Sequence, residues 1–91
     1  SDTLSGGNDN DTIDGGADDD ILNGDAGNDT LLGKAGEDAL NGGSGNDTLY
    51  GGDDDDTLHG NDNDDVLSGN LGNDEIYGDD GVDTIYGGDG N

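Results

Sequence analysis

The stretch Gly42-Gly43-Ser44-Gly45-Asn46-Asp47-Thr48-Leu49-Tyr50 decides how this chain is read. Its first six residues are turn formers and its last three are strand formers. Working outward, the same order recurs every nine residues in both directions. Asp falls at 2, 11, 20, 29, 38, 47, 56, 65, 74 and 83, and Gly at 6, 15, 24, 33, 42, 51, 60, 69, 78 and 87. Leu or Ile keeps the step at 4, 13, 22, 31, 40, 49, 58, 67, 76 and 85. Three registers in phase along the chain mean that one small unit is repeated, and such a period precedes any local reading.

Positions within the unit carry different demands. The fourth holds only Asp9, Asp18, Gly27, Gly36, Gly45, Asp54, Asn63, Gly72, Gly81 and Gly90. Gly, Asn and Asp are the residues most tolerant of positive φ, so a left-handed conformation is expected there. The second position also accepts Asp25, Lys34, Asn61, Asn70 and Asp79, and an ordinary φ is expected for it. The triplet Thr48-Leu49-Tyr50 alternates out, in, out, as a strand requires.

Two turns and two three-residue strands close one flattened coil of 18 residues. Stacking pairs each strand in parallel with the strand 18 residues away, at about 4.8 Å per coil. Five coils give an all-β solenoid, a single domain over residues 1–91, about 24 Å tall. Asp residues 18 apart then lie above one another. Carboxylates so placed repel unless a cation sits between them. A hard cation with a flexible oxygen shell is calcium, with turn carbonyls completing the shell.

Composition narrows the classes. Only 24% of the 91 residues are hydrophobic, and the formal net charge is −24. Such a balance belongs to disordered chains, yet a solvating linker has no reason to space its Leu and Ile regularly. The chain has a designed inside that it does not close alone, so the metal-free form is expected to be unfolded. Without Cys there is no disulfide framework, and any metal must be held by oxygen. A single Lys+Arg residue, Lys34, and one His, His59, exclude a zinc cluster, a nucleic-acid surface and polybasic membrane attachment. No apolar run approaches a membrane span. Ser1 opens directly into the repeat, which fits a fragment boundary or export without an N-terminal signal. No segment has the EF-hand loop pattern, and glycine-rich phosphate loops lack their Lys, strand and helix.

The units resemble G-G-x-G-x-D-x-U-x, the calcium-binding nonapeptide of repeats-in-toxin (RTX) proteins, with nine complete units from Gly6 to Tyr86. The resemblance implies a right-handed parallel β-roll with calcium between turns n and n+2. It also implies a six-oxygen site. The earlier turn gives its second and fourth carbonyls and its Asp; the later turn gives its first and third carbonyls and its Asp. Carried over, one ion takes the Gly7 and Asp9 carbonyls with Asp11, then the Gly24 and Ala26 carbonyls with Asp29. Another takes Gly43, Gly45 and Asp47, then Gly60, Asp62 and Asp65. The Asp pairs 11/29, 20/38, 29/47, 38/56, 47/65, 56/74 and 65/83 make seven complete sites. Asp2/Asp20 and Asp74 over Gly87 and Asp89 form partial ones.

The remaining acidic residues, such as Asp53–Asp55, Asp62 and Asp79–Asp80, are expected to solvate turn edges. One face reads Thr12, Thr30, Thr48, Val66, Thr84, ordinary strand residues with a harmless hydroxyl outside. His59 is expected to be a solvated strand residue, and no base–nucleophile constellation exists, so no enzyme is expected. The leading expectation is a calcium-binding structural module of a secreted bacterial RTX protein, located extracellularly or at the cell surface, that folds on calcium outside the cell. Its partners are calcium and flanking domains of a larger parent, with no nucleic acid and no membrane insertion. The alternative is a filament, adhesin or surface-layer subunit stacking head to tail with further copies. An acidic mineral-nucleating matrix protein predicts binding without cooperative folding.

Overall fold

A computed structural model describes residues 1–90. Ten strands follow one another: β1 (Thr3–Asn8), β2 (Thr12–Ala17), β3 (Ile21–Ala26), β4 (Thr30–Ala35), β5 (Ala39–Ser44), β6 (Thr48–Asp53), β7 (Thr57–Asp62), β8 (Val66–Asn70), β9 (Glu75–Asp80) and β10 (Thr84–Tyr86). Odd strands form one sheet in the order β1-β3-β5-β7-β9, and even strands form the other, β10-β8-β6-β4-β2. Every pairing is parallel and offset by 18 residues, as in Leu31↔Leu49 and Leu40↔Leu58. The fold is a β-solenoid of about five coils, as the nine-residue period predicts. Its extents, 29 × 27 × 13 Å, make it a slab rather than a rod.

Two expectations are corrected. The strands are not triplets: most continue through the first three positions of the next unit, since Gly43↔Asn61 and Ser44↔Asp62 pair in the same ladder as Leu40↔Leu58. Only positions four to six lie outside such strands. The second position is also left-handed, not ordinary. Its φ is 72° at Asp25, 83° at Lys34, 78° at Asn61, 75° at Asn70 and 69° at Asp79. Left-handed residues at both the second and the fourth position, with one residue between them, let the chain reverse within a few residues. The non-glycine fourth positions keep that geometry, with φ of 85° at Asp9, 78° at Asp18, 77° at Asp54 and 78° at Asn63.

The core is a single file of side chains between the sheets. Ile13, Leu22, Leu31, Leu40, Leu49, Leu58 and Leu67 are buried, and Leu4 and Ile76 pack against them half-buried. Ile85, at the end of the stack, is half exposed. Apolar stabilisation is therefore confined to one residue in nine. The other buried residues are Asp and Gly.

Candidate metal centres

Beside the leucine file, at each edge of the slab, runs a file of buried carboxylates. Asp20, Asp29, Asp38, Asp47, Asp56 and Asp65 are each no more than 2% exposed. The turn forces this inward orientation, and the first-position glycine makes room for it. A β-carbon on Gly42 would lie 2.5 Å from Asp47 Oδ2 and 2.8 Å from the Gly60 carbonyl oxygen. The same collision awaits at Gly24, where Asp29 Oδ2 would be 2.6 Å away. Gly42 and Gly24 do not have the left-handed φ that glycine favours. Glycine is required there for space.

Each carboxylate has one oxygen engaged and one free. Oδ1 accepts a hydrogen bond from the backbone N–H of the Asp one coil earlier: Asp11 to Asp29 at 2.7 Å, Asp29 to Asp47 at 2.8 Å and Asp47 to Asp65 at 2.7 Å. On the other edge, Asp20 donates to Asp38 at 2.7 Å and Asp38 to Asp56 at 2.8 Å. Oδ2 is buried without a hydrogen-bond partner at Asp11, Asp20, Asp29, Asp38, Asp47, Asp56, Asp65 and Asp74. A buried ionised oxygen left alone is among the costliest arrangements in a protein.

Protonation shows that cost. Burial pushes the Asp38 and Asp47 carboxyls above the usual carboxylate range. It pushes Asp56 up to about 7 and Asp65 to about 6. The backbone hydrogen bond at Oδ1 pulls each back, and neighbouring carboxylates such as Asp38 and Asp74 push Asp56 further up. A cation reverses both upward causes by compensating the desolvated charge and by screening its neighbours.

Turn carbonyl oxygens of one coil come close to the glycines of the next. Fourth-position carbonyls of an earlier turn, such as Asp9 and Gly27, lie where β-carbons would sit on Gly27 and Gly45 one coil on. Second-position carbonyls behave alike, with Asp25 against Gly43 and Lys34 against Gly52. From the later turn, the first-position Gly24 carbonyl reaches back to 2.9 Å from the β-carbon position of Gly6. The third-position Ser44 carbonyl accepts from Gly27 N–H at 2.9 Å. Among the described residues no three carboxylate, imidazole or thiolate groups converge on one point. A centre here must therefore draw on few carboxylates and several carbonyls. That is a donor set for a hard, oxygen-seeking ion.

The end residues are less enclosed. Asp2 is exposed and contributes its N–H to Asp20 Oδ1 at 2.6 Å, while Asp83 is half-buried and accepts from Asp65 N–H at 2.9 Å.

A second ladder goes beyond the solvating role expected of the outer acidic residues. At the fifth position the earlier side chain accepts from the later backbone: Asn10 from Asn28 at 2.8 Å, Asn28 from Asn46 at 2.9 Å, and Asp55 from Asn73 at 2.8 Å. Asp19 and Asp64 accept in the same way. The sequence signal was present, since Asn, Asp or Glu recurs at 10, 19, 28, 37, 46, 55, 64 and 73. His59 stacks on Tyr77 with ring centroids 4.7 Å apart and approaches Asp79 through Nδ1 at 3.3 Å.

Comparison with protein families matches the RTX calcium-binding nonapeptide repeat (4 copies) over residues 1–31, 32–67 and 59–91. The chain belongs to the RTX calcium-binding nonapeptide repeat family. No curated protein and no solved structure gives a match. The family's repeat is a calcium-binding structural element. The unpartnered Oδ2 file and the turn carbonyls fit that ion.

Proposed function

We propose that this RTX chain is a calcium-operated folding module of a secreted bacterial protein, unordered where calcium is scarce and folded where it is abundant. The file of buried, unpartnered Asp Oδ2 atoms carries the reading. Without a cation, each coil added to the slab buries further uncompensated charge. With one, the same coil gains a bridging ion. Ordering and ion binding are thereby one event, as in other small metal-dependent folds.

The ligands are assigned by turn. In the 29/47 gap they are the Asp29 and Asp47 carboxylates, with the Asp25 and Gly27 carbonyls from the earlier turn and the Gly42 and Ser44 carbonyls from the later one. Repeating this along both edges gives seven complete centres, with partial ones at Asp2/Asp20 and beyond Asp74. Calcium supplies charge compensation and bridging there. The protein's own residues set its selectivity: turn carbonyls tolerate the long, irregular bonds of calcium and not the short octahedral shell of magnesium.

Circular dichroism during a calcium titration tests the proposal. The expected course runs from a coil spectrum to a strand spectrum with a Hill coefficient well above one, and magnesium leaves the coil unchanged. A non-cooperative course, or full folding in magnesium alone, refutes it.

A further inference from the structure

Two junctions in the chain close to a cyclic imide fastest unless the fold protects them, ahead of the slower Asp-Gly steps Asp14-Gly15, Asp80-Gly81 and Asp89-Gly90. From Asn8 to Asn73 the chain has ten Asn residues, of which only Asn23 and Asn41 precede Gly. In an Asn-Gly pair the glycine nitrogen meets no side-chain obstruction and attacks the amide carbon readily. Both pairs occupy the same place in the repeat, the step from the ninth position to the first. They are neighbours in space, with Asn23↔Asn41 paired between β3 and β5 and Asn41 Nδ2 donating to Asn23 Oδ1 at 3.4 Å. The glycines cannot be exchanged for a slower-reacting residue, because a β-carbon at either position collides with the metal-facing carboxylate of its own turn.

We propose that Asn23-Gly24 and Asn41-Gly42 are self-modification sites that calcium-driven folding holds shut and that disable chains left unfolded. The inference rests on the folding reading above. In the unfolded chain the Gly24 amide nitrogen gives its proton to solvent base and bonds to Asn23 Cγ. The Cγ–Nδ2 bond breaks, and Nδ2 leaves as ammonia after taking a proton from water. Water then opens the five-membered imide at either carbonyl, giving Asp or isoaspartate. The balance is one water consumed and one ammonia released, with no oxidant.

The fold blocks the first step. Gly24 and Gly42 are buried, and β3 and β5 are each paired on both sides, so the main chain is held extended and its nitrogens are removed from solvent base. Reaction then requires opening, and its rate falls by the folded-to-unfolded ratio, roughly 10³ or more for a stable domain. The product matters because isoaspartate inserts one extra main-chain bond, about 1.5 Å, in the middle of β3 or β5. Downstream of that bond, Asp29 or Asp47 no longer stacks on its 18-residue partners, and register in a ladder tolerates no such slip.

The test incubates the full chain at mildly alkaline pH with calcium or with chelator, records the strand signal of both samples, and maps modification at each Asn by peptide mass spectrometry. Modification is expected at Asn23 and Asn41 in chelator, at least roughly 10³-fold slower in calcium. Aged chelator samples should regain strand signal on calcium addition only in proportion to their isoaspartate-free fraction. The double variant Asn23→Ser, Asn41→Ser, which places at both sites the residue found at Ser5 and Ser68, should regain several-fold more strand signal than the parent chain after the same ageing, losing only what the slower Asp-Gly steps remove. If calcium induces the strand signal while modification proceeds equally in both samples, or if isoaspartate-bearing chains refold fully, the inference is overturned and the folding reading stands. If calcium induces no strand signal, that reading fails and the gate falls with it.

Discussion

Asp47→Ala is the sharpest test of how the slab is held. Asp47 is 1% exposed and lies at the middle of its edge, belonging to the 29/47 and the 47/65 pairs. Its Oδ1 accepts from the Asp29 N–H at 2.8 Å, and its Oδ2 has no protein partner. Removing the side chain therefore orphans a buried N–H, which costs about 1–3 kcal/mol, and takes a carboxylate from two ion sites. A site bathed in calcium at 100 times its dissociation constant contributes about 2.7 kcal/mol, so losing two removes about 5 kcal/mol. Shared among the five remaining pairs of seven, that deficit takes roughly six-fold more calcium to restore. The orphaned N–H brings the expected shift in folding midpoint to on the order of ten-fold.

The assay is the calcium titration followed by circular dichroism, with two comparators of equal charge change. Asp2→Ala keeps the N–H that Asp20 uses. It should leave the midpoint within about two-fold, since a terminal solenoid unit couples to one neighbour only. Asp53→Ala trims an exposed side chain at the end of β6 and should leave the midpoint nearly unchanged. Equal shifts from all three variants would mean that total charge, rather than site geometry, governs folding.

Acid should act in opposite directions with and without calcium. Asp56 and Asp65 titrate near 7 and 6 in the metal-free fold, against an unfolded value of 3.8. A raised folded value favours the fold below the unfolded value and loses that contribution as pH rises through the folded one. In chelator, strand signal should therefore grow as pH falls from about 7 toward 4, whereas in calcium the midpoint should rise over the same window because protons compete for Oδ2; a loss of strand signal on acidification in chelator would contradict this. Gly42→Ala drives a β-carbon against Asp47 Oδ2 and should cost about 1–3 kcal/mol or more by overpacking. Gly7→Asn, at φ 95° with nothing within 4 Å, should cost less than about 1 kcal/mol; thermal melts in saturating calcium compare the two. Leu49→Ala, in the closed centre of the core, should cost about 2–5 kcal/mol, and Ile85→Ala, half exposed at the end of the stack, much less by the same melts.

What was legible in the chain follows from what repeats. The period alone yields the parallel stacking, the 18-residue register and the inward leucines, because all three are properties of the unit copied. The second-position turn was misjudged because of Lys34, a residue that seldom adopts positive φ. Its ladder partners are Gly16 and Gly52, so no side chain crowds it from either coil, and its ammonium reaches Asp14 at 2.6 Å. Those neighbours are 18 residues away, and local propensity does not see them. The carboxylates show the same limit in a more consequential form. Spacing marks Asp47 as a metal-facing residue, yet only the stacked structure shows that its Oδ1 already holds the Asp29 backbone. Half of each carboxylate is thus a structural link between coils, and the other half is the oxygen that calcium must satisfy. Folding and binding are joined in one side chain, which is why removing calcium and removing the carboxylate are expected to undo the same contacts.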